Sequence, residues 1–254
     1  MMLGVTPTAH PGAAIAQSPV RTACDARPAT VSGELLFCLD RVLVLESRSH
    51  YWPLTPTQAL WSARAQPCEQ QFEGQAGFAR LPMTWHGPGD AIDGDMAVSL
   101  SGLARHLLQV ISTQRVRADR QAALLQALIF ELRDARAPLV GLPKLTDTTL
   151  VAIEREMTCP EPVYCTIESW EERLGVHRRT LHRNLLRGVG LSYRQWSHQA
   201  QAIAALRLIE AGKAPAQIAA VLGFASASSF HVFFRRLVGS TPGSIAQLLR
   251  SART

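Results

Sequence analysis

The sequence predicts an α+β chain. A small antiparallel β region with a helical hairpin comes first, and an all-α region with two helix-turn-helix units on a linker helix follows. Three observations predict it. Apolar residues alternate with period two through "ELLFCLDRVLVLES" (34–47), as half-buried strands require. From Met96 onward the apolar period becomes helical, and beyond "APLVGLPKLTD" (137–147) every segment is helical. The last third also repeats its own layout, in "WEERLGVHRRTLHRNLLRGVG" and again in "IAAVLGFASASSFHVFFRRLVG".

Residues 1–32 are small, polar and broken by prolines, and they lack the charged start and apolar core of a secretory signal; they read as a disordered lead-in. Residues 33–142 form the first domain. Its short strands are separated by turn-prone "SRSH" and "PLTPTQ", and "HGPGDAIDGD" is a loop. Helices follow at about 97–113, with Leu100, Leu103, Leu107 and Val110 on one face, and at about 120–135, with Leu125, Leu128, Ile129 and Leu132. With so short a β region, these stripes are expected to pair with a second copy of the chain, giving a homodimer. The Pro/Gly-bearing linker sets the domain boundary, and 143–254 is the second domain.

In that domain Leu150, Ile153 and Met157 form one helical face, and Ile167, Trp170 and Leu174 form the next, closed by Gly175. "GLSYRQWSHQAQAIAALRLIEAG" is a long helix. "APAQIAAVLG" is a short one with Pro215 near its start, where a missing N–H costs least. The last main helix is "SASSFHVFFRRLVG", with Ser226 as its N-cap. Each copy of the repeat has a short helix, a Leu-Gly stop, a tight turn and a second helix with basic residues. Glycine allows the positive φ such a turn needs.

Charge separates the two domains. The net charge is +6, yet residues 175–254 hold eleven Lys or Arg against one acid, Glu210. The remainder is net acidic. A basic last third points to an anionic polymer or surface as partner. No apolar run of about 18 residues suggests a membrane span. The five cysteines, Cys24, Cys38, Cys68, Cys159 and Cys165, are odd in number and form no CxxC pair, so they read as reduced thiols of a cytoplasmic protein.

At "IAAVLGF", the Ser226–Phe230 spacing, "FFRRLVGSTP" and "GLSYRQW", residues 145–245 resemble the AraC/XylS family of bacterial transcription regulators. The resemblance implies a helical domain whose two recognition helices enter successive major grooves on one face of double-stranded DNA. Leu181 and Leu185 repeat at i, i+4 and face the core, which leaves Arg179, His182 and Arg183 on the other side, at positions the family motif makes base-facing. In the second recognition helix those positions are Ala227, Ser228, Ser229, His231 and Val232. Arg178, Arg187, Arg194, Arg235 and Arg236 are the expected phosphate contacts. Phe230 and Phe234 read as core rather than as platforms for stacked bases.

Five positions depart from the family pattern. Glu171 replaces a small residue, His177 replaces the usual N-cap, Asn184 replaces an apolar residue, and Ile245 and Ala246 replace an aromatic and an arginine. Three of these fall in the first unit and predict a less rigid one.

The region before 145 is similar to a shortened cupin-like sensory half found in one subgroup of the same family, through "GELLFCLDRVLVL" and "ALWSARAQPCE". That likeness implies dimerisation and control by a small-molecule effector, with Trp52 and Trp61 as candidate pocket residues set against plain core filling. None of the eight histidines forms the HxH pair of a cupin metal site, so no metal and no cofactor are expected; His50 and His86 read as surface or loop residues. The leading function is a sequence-specific regulator in a bacterial cytoplasm, with RNA polymerase among its partners and no enzymatic activity. Two alternatives stand beside it. One is an architectural DNA-binding protein that senses nothing. The other is a DNA-repair methyl acceptor fused to the same domain, which Cys24, Cys38 and Cys68 do not supply with zinc-ligand spacing.

Overall fold

The computed structural model describes residues 31–62, 78–85, 95–113, 117–133, 141–159 and 164–253, with the isolated residues 135, 137 and 162. The expected lead-in over 1–30, His86, Cys24 and Cys68 lie outside the described residues, as does most of "HGPGDAIDGD".

The chain runs through β1 (Val31–Phe37), β2 (Leu43–Glu46), β3 (His50–Leu54), β4 (Gln58–Ser62), β5 (Ala79–Trp85) and β6 (Asp95–Ser99). Then come α1 (Gly102–Thr113), α2 (Ala118–Leu132) and β7 (Leu142–Pro143). The helical half comprises α3 (Thr148–Thr158), α4 (Ile167–Leu174), α5 (Arg178–Val189), α6 (Tyr193–Glu210), α7 (Pro215–Val221), α8 (Ala227–Val238) and α9 (Pro242–Arg253). The fold is the α+β arrangement that the sequence predicts.

The strands form two antiparallel sheets, β5-β1-β4-β6 and β2-β3-β7. Period-two alternation aims successive side chains at opposite faces, and here both faces of the larger sheet are covered. Leu35 and Phe37 of β1, Ala59 and Trp61 of β4, and Met96 and Val98 of β6 point to one face, where α1 and α2 pack. Leu36, Leu60 and Ala97 point to the other and meet Leu45, Trp52 and Leu54 of the smaller sheet. Residues on the smaller sheet's outer face, Val44 and Tyr51, pack into the helical half. The molecule is therefore layered: helical hairpin, large sheet, small sheet, helical domain.

Three expectations are corrected here. The stretch expected to begin a helix at about 97 continues as strand β6 to Ser99, because Met96 and Val98 alternate into the core opposite Trp61 and Ala59. The buried face of α1 is Ala104, Leu107 and Leu108, while Leu103 is 53% exposed. His50 is half-buried in β3, with Nδ1 against the Ser49 hydroxyl at 2.9 Å, rather than in a loop. On α2 the expected stripe holds, with Leu128 and Leu132 fully buried. Its apolar face is covered by the chain's own large sheet, and Phe130 is left 67% exposed.

The boundary drawn between residues 142 and 143 falls inside β7, whose Tyr51↔Leu142 pairing joins it to β3 while Leu142 sits in the helical core. Further contacts tie the halves. Val42 is buried among Leu206, Ile209, Phe234 and Ile245, and its N–H donates to Glu210 Oε2 at 2.9 Å. The Tyr51 hydroxyl donates to Glu154 Oε1 at 2.8 Å. Glu154 Oε2 accepts from the Leu145 amide, so this nearly buried carboxylate is satisfied on both oxygens.

Candidate nucleic-acid interface

Each unit begins with a short helix stopped by a left-handed glycine. Gly175 has φ 65° and Gly223 φ 76°, a region that side chains rarely adopt. The turn redirects the chain so that α5 lies against α4, and α8 against α7.

Helix α5 divides cleanly. Leu181 and Leu185 are fully buried, while Arg178, Arg179, His182, Arg183 and Arg187 are exposed. Arg178 lies 3.5 Å from Glu168 on α4. Arg179, Arg183 and Arg187, one turn apart each, form no ion pair among the described residues. Three cations and His182 thus share one outward face with no acid upon it.

The departures in the first unit each have a partner. The His177 Nδ1 accepts from the Arg179 amide at 3.1 Å and so caps α5; its Nε2 faces Glu171 Oε1 at 3.6 Å. Glu171, out of place by the family pattern, thus stands beside the cap. Asn184 Nδ2 donates to Asp147 Oδ2 at 3.0 Å, and Asp147 Oδ1 caps α3 by accepting from the Thr149 and Leu150 amides. All three departures thus make polar contacts, and Asn184 reaches the α3 cap. Below it, Trp170 Nε1 donates to the Tyr193 hydroxyl at 2.8 Å, which donates to the Cys165 carbonyl at 2.6 Å; burial pushes the Tyr193 phenol up.

The second unit is built with apolar material. Phe230 and Phe234 are fully buried with Ile245, the residue that stands where the family has an aromatic. Ser226 caps α8 by accepting from the Ser229 amide at 3.1 Å. The Ser229 hydroxyl closes the capping box, donating to the Ser226 carbonyl and accepting from its amide. Of the two serines expected at base edges, Ser229 is thus engaged in the cap and Ser228 has its hydroxyl outside it. His231, Arg235 and Arg236 are exposed, and Val232 is 72% exposed.

Helix α6 connects the units and belongs to both cores. Trp196, Ala200 and Ile203 pack with the first, and Ala202, Ala205, Leu206 and Ile209 with the second. A helix buried on nearly every side cannot rotate without disturbing both neighbours. Its 18 residues span about 27 Å at the α-helical rise. Trp196 Nε1 donates to the Pro143 carbonyl at 2.8 Å, anchoring α6 to β7.

Trp52 and Trp61 are both buried, in different layers: Trp61 packs edge-on to Trp85 among the residues facing α1 and α2, and Trp52 lies between the sheets. Neither lines either of two clefts, each defined by its walls. One, of about 660 Å³, lies between Phe37, Leu39, Arg105 of α1 and Leu248 of α9. The other, of about 610 Å³, lies between Arg48, Lys144, Val189 and Gln199. In the first, Arg105 Nε is buried without a hydrogen-bond partner. No local sequence pattern marks Arg105, Glu154 or Val42. Glu210 is marked by its isolation, as the lone acid of a basic segment. Among the described residues, no three His, Cys, Asp or Glu side chains could hold a metal ion, and no helix is long and apolar enough to cross a membrane.

Residues 170–247 match a family model described as a helix-turn-helix domain. Over 231 residues, covering 83% of this chain and 78% of the relative, the sequence is 26% identical to the HTH-type transcriptional regulator NimR of Escherichia coli (strain K12). It is 33% identical over 79 residues to the HTH-type transcriptional regulator RipA of Corynebacterium glutamicum, a match covering 31% of this chain and 24% of that protein. Among solved structures, the DNA-binding domain of AdpA in complex with a target DNA is 26% identical, with 40% of this chain and 88% of that chain covered at a TM-score of 0.34. ToxT from Vibrio cholerae is 12% identical, with 85% and 90% covered at a TM-score of 0.36.

Proposed function

We propose that this chain, whose residues 170–247 match a helix-turn-helix domain, is an AraC-type DNA-binding transcription regulator that reads two successive major grooves of one duplex face. One observation carries this reading: two outward helix faces, on α5 and α8, are free of acids and fixed to a single shared helix, α6. Arg179, His182 and Arg183 meet base edges from α5. Ser228 and His231 do so from α8, with Ser229 in support through its cap. Arginine bonds the O6 and N7 of guanine together, which discriminates by about 1–3 kcal/mol per good pair. Arg187, Arg194, Arg235 and Arg236 meet phosphates, and Arg178 does so by exchanging Glu168 for the backbone.

The first domain serves assembly and sensing. Leu103 and Phe130, exposed on α1 and α2, are the contact of a homodimer. An effector enters the cleft at Phe37, Arg105 and Leu248 rather than the neighbourhood of Trp52 and Trp61, which are packed inside the core; Arg105 Nε in the cleft, like Trp52 Nε1 between the sheets, is buried without a hydrogen-bond partner. A ligand-bound regulator, acting with RNA polymerase in a bacterial cytoplasm, then changes the output of adjacent promoters.

The test is affinity for duplex DNA against salt. With four to eight phosphate contacts, log K should fall against log[salt] with a slope of about −0.9 per contact. Binding that is flat from low to high salt overturns the reading. Equal affinity for every sequence at a steep slope would favour the architectural alternative.

A further inference from the structure

At the junction of α6 and α8 lies a cluster of cations that the recognition helices do not need for reading bases. Arg194 and His198 stand one turn apart on α6, and Arg236 comes from α8. The His198 imidazole meets the Phe233 ring edge-on with centroids 5.3 Å apart. Phe233 precedes Arg236 by three residues, so the two leave α8 as neighbours on its surface. Arg236 also continues the exposed row of Ser229 and Val232, which ties the cluster to the DNA-facing side of α8. His198 is half-buried, and both arginines are exposed.

Among the described residues, Arg194 and Arg236 are the charged groups whose field reaches the imidazole; α3, α7, α9 and β7, which also pack on α6, contribute none. Burial first, and then those two guanidinium charges, hold the imidazole below the ordinary histidine range. The ring is thus neutral in the unbound protein at neutral pH.

We propose that Arg194 and Arg236, given to phosphates above, share one DNA phosphodiester with His198, and that His198 takes up a proton from solvent when the phosphate enters. The inference rests on the duplex-binding reading above and adds a residue and a proton to it. A phosphate held by two guanidinium groups reverses the field at the ring. The imidazolium then donates a charge-assisted hydrogen bond to a phosphate oxygen, while the ring edge stays on Phe233. Affinity rises as pH falls, by up to about tenfold per pH unit if one whole proton is taken up. Folding stability moves the opposite way. The unfolded chain binds this proton more readily than the unbound folded protein, so the group's contribution to stability is lost as pH drops through the ordinary histidine range. A merely structural His198 would show the second effect without the first.

The experiment uses the full chain and a duplex recovered by selection from random sequence, at fixed ionic strength. Titration calorimetry near pH 7, in two buffers of different ionisation enthalpy, counts the protons taken up, and affinity is followed from pH 8 to pH 6. Wild type should take up a fraction of a proton and bind more tightly at pH 6. His198→Gln should lose this site's share of the uptake and flatten the pH profile. His198→Arg, permanently charged, should bind at pH 8 about as tightly as wild type does at pH 6. His182→Gln and His231→Gln should keep the His198 share. Undiminished uptake in His198→Gln, or a loss of affinity equal at every pH, overturns the inference alone. No duplex binding at any pH overturns the DNA reading and this site together.

Discussion

The two helix-turn-helix units reach the same shape with different materials. Both close over apolar cores, Trp170, Leu181 and Leu185 in the first and Phe230, Phe234 and Ile245 in the second. The first adds polar contacts, His177 near Glu171 and Asn184 to Asp147, and the second adds a serine capping box. Their outward faces differ in the reverse sense. The first presents an acid-free row of arginines, and the second presents Ser228, His231 and Val232 with arginines only near its end. On the proposed reading, the unit that carries the base-reading chemistry has directional bonds, which fix orientation as well as contact, added to the non-directional burial that both units share.

The severest test of this contrast is the second core. Phe234→Ala should destabilise the protein by about 3–5 kcal/mol, and Leu185→Ala in the first unit by about 2–5 kcal/mol. Because α6 lies in both cores, denaturant unfolding of the helical half should remain one cooperative step. Two resolved transitions would separate the units and end the comparison.

Next in size is the base face. Arg183→Ala should flatten the preference at one or two base pairs by about 1–3 kcal/mol, as read from a binding-energy matrix across the site. A uniform loss with every preference intact would show that Arg183 contacts phosphate.

The polar joints of the first unit should give smaller effects. Asp147→Ala removes the α3 cap and the Asn184 partner together and should cost about 1–2 kcal/mol. His177→Ser supplies a conventional cap and should be nearly neutral, whereas His177→Ala should cost about 1 kcal/mol. A neutral His177→Ala, measured by chemical denaturation, would return the first unit to the looser state expected from its sequence.

The smallest effects concern the second face. Arg235→Ala should weaken all duplexes alike and reduce the salt slope by about one. Ser228→Ala should change affinity by under about 0.5 kcal/mol. Base preference concentrated under α8 would invert the division of labour.

What the sequence disclosed was local, and what it hid was distant. The Leu-Gly stops, the i, i+4 leucines of α5 and the serine cap of α8 are each readable within a dozen residues, and the structure has all three. The reading of Glu171, His177 and Asn184 as weaknesses took each residue singly. The Asn184 partner lies 37 positions away, in the linker. Strand β6 is hidden because the helical stripe that starts at Leu100 follows it without a break, and only the pairing of Met96 and Val98 with β4 shows where the strand ends. Trp52 and Trp61 suit a pocket or a core equally well in sequence; the small sheet packing on the large one buries Trp52, and the helical hairpin buries Trp61.

The docking of the small sheet has a mechanical consequence. Its strands lie across the seam of the helical half, with Val42 seated in one unit and Tyr51 bonded to Glu154 beside the other. Any twist of one unit against the other would have to unseat the valine or stretch the phenol's bond. On the proposed two-groove reading, the stiffness with which the grooves are addressed resides partly in strands outside the recognition helices. They act as bracing wires act on a mast, deciding how far it leans without bearing the signal themselves.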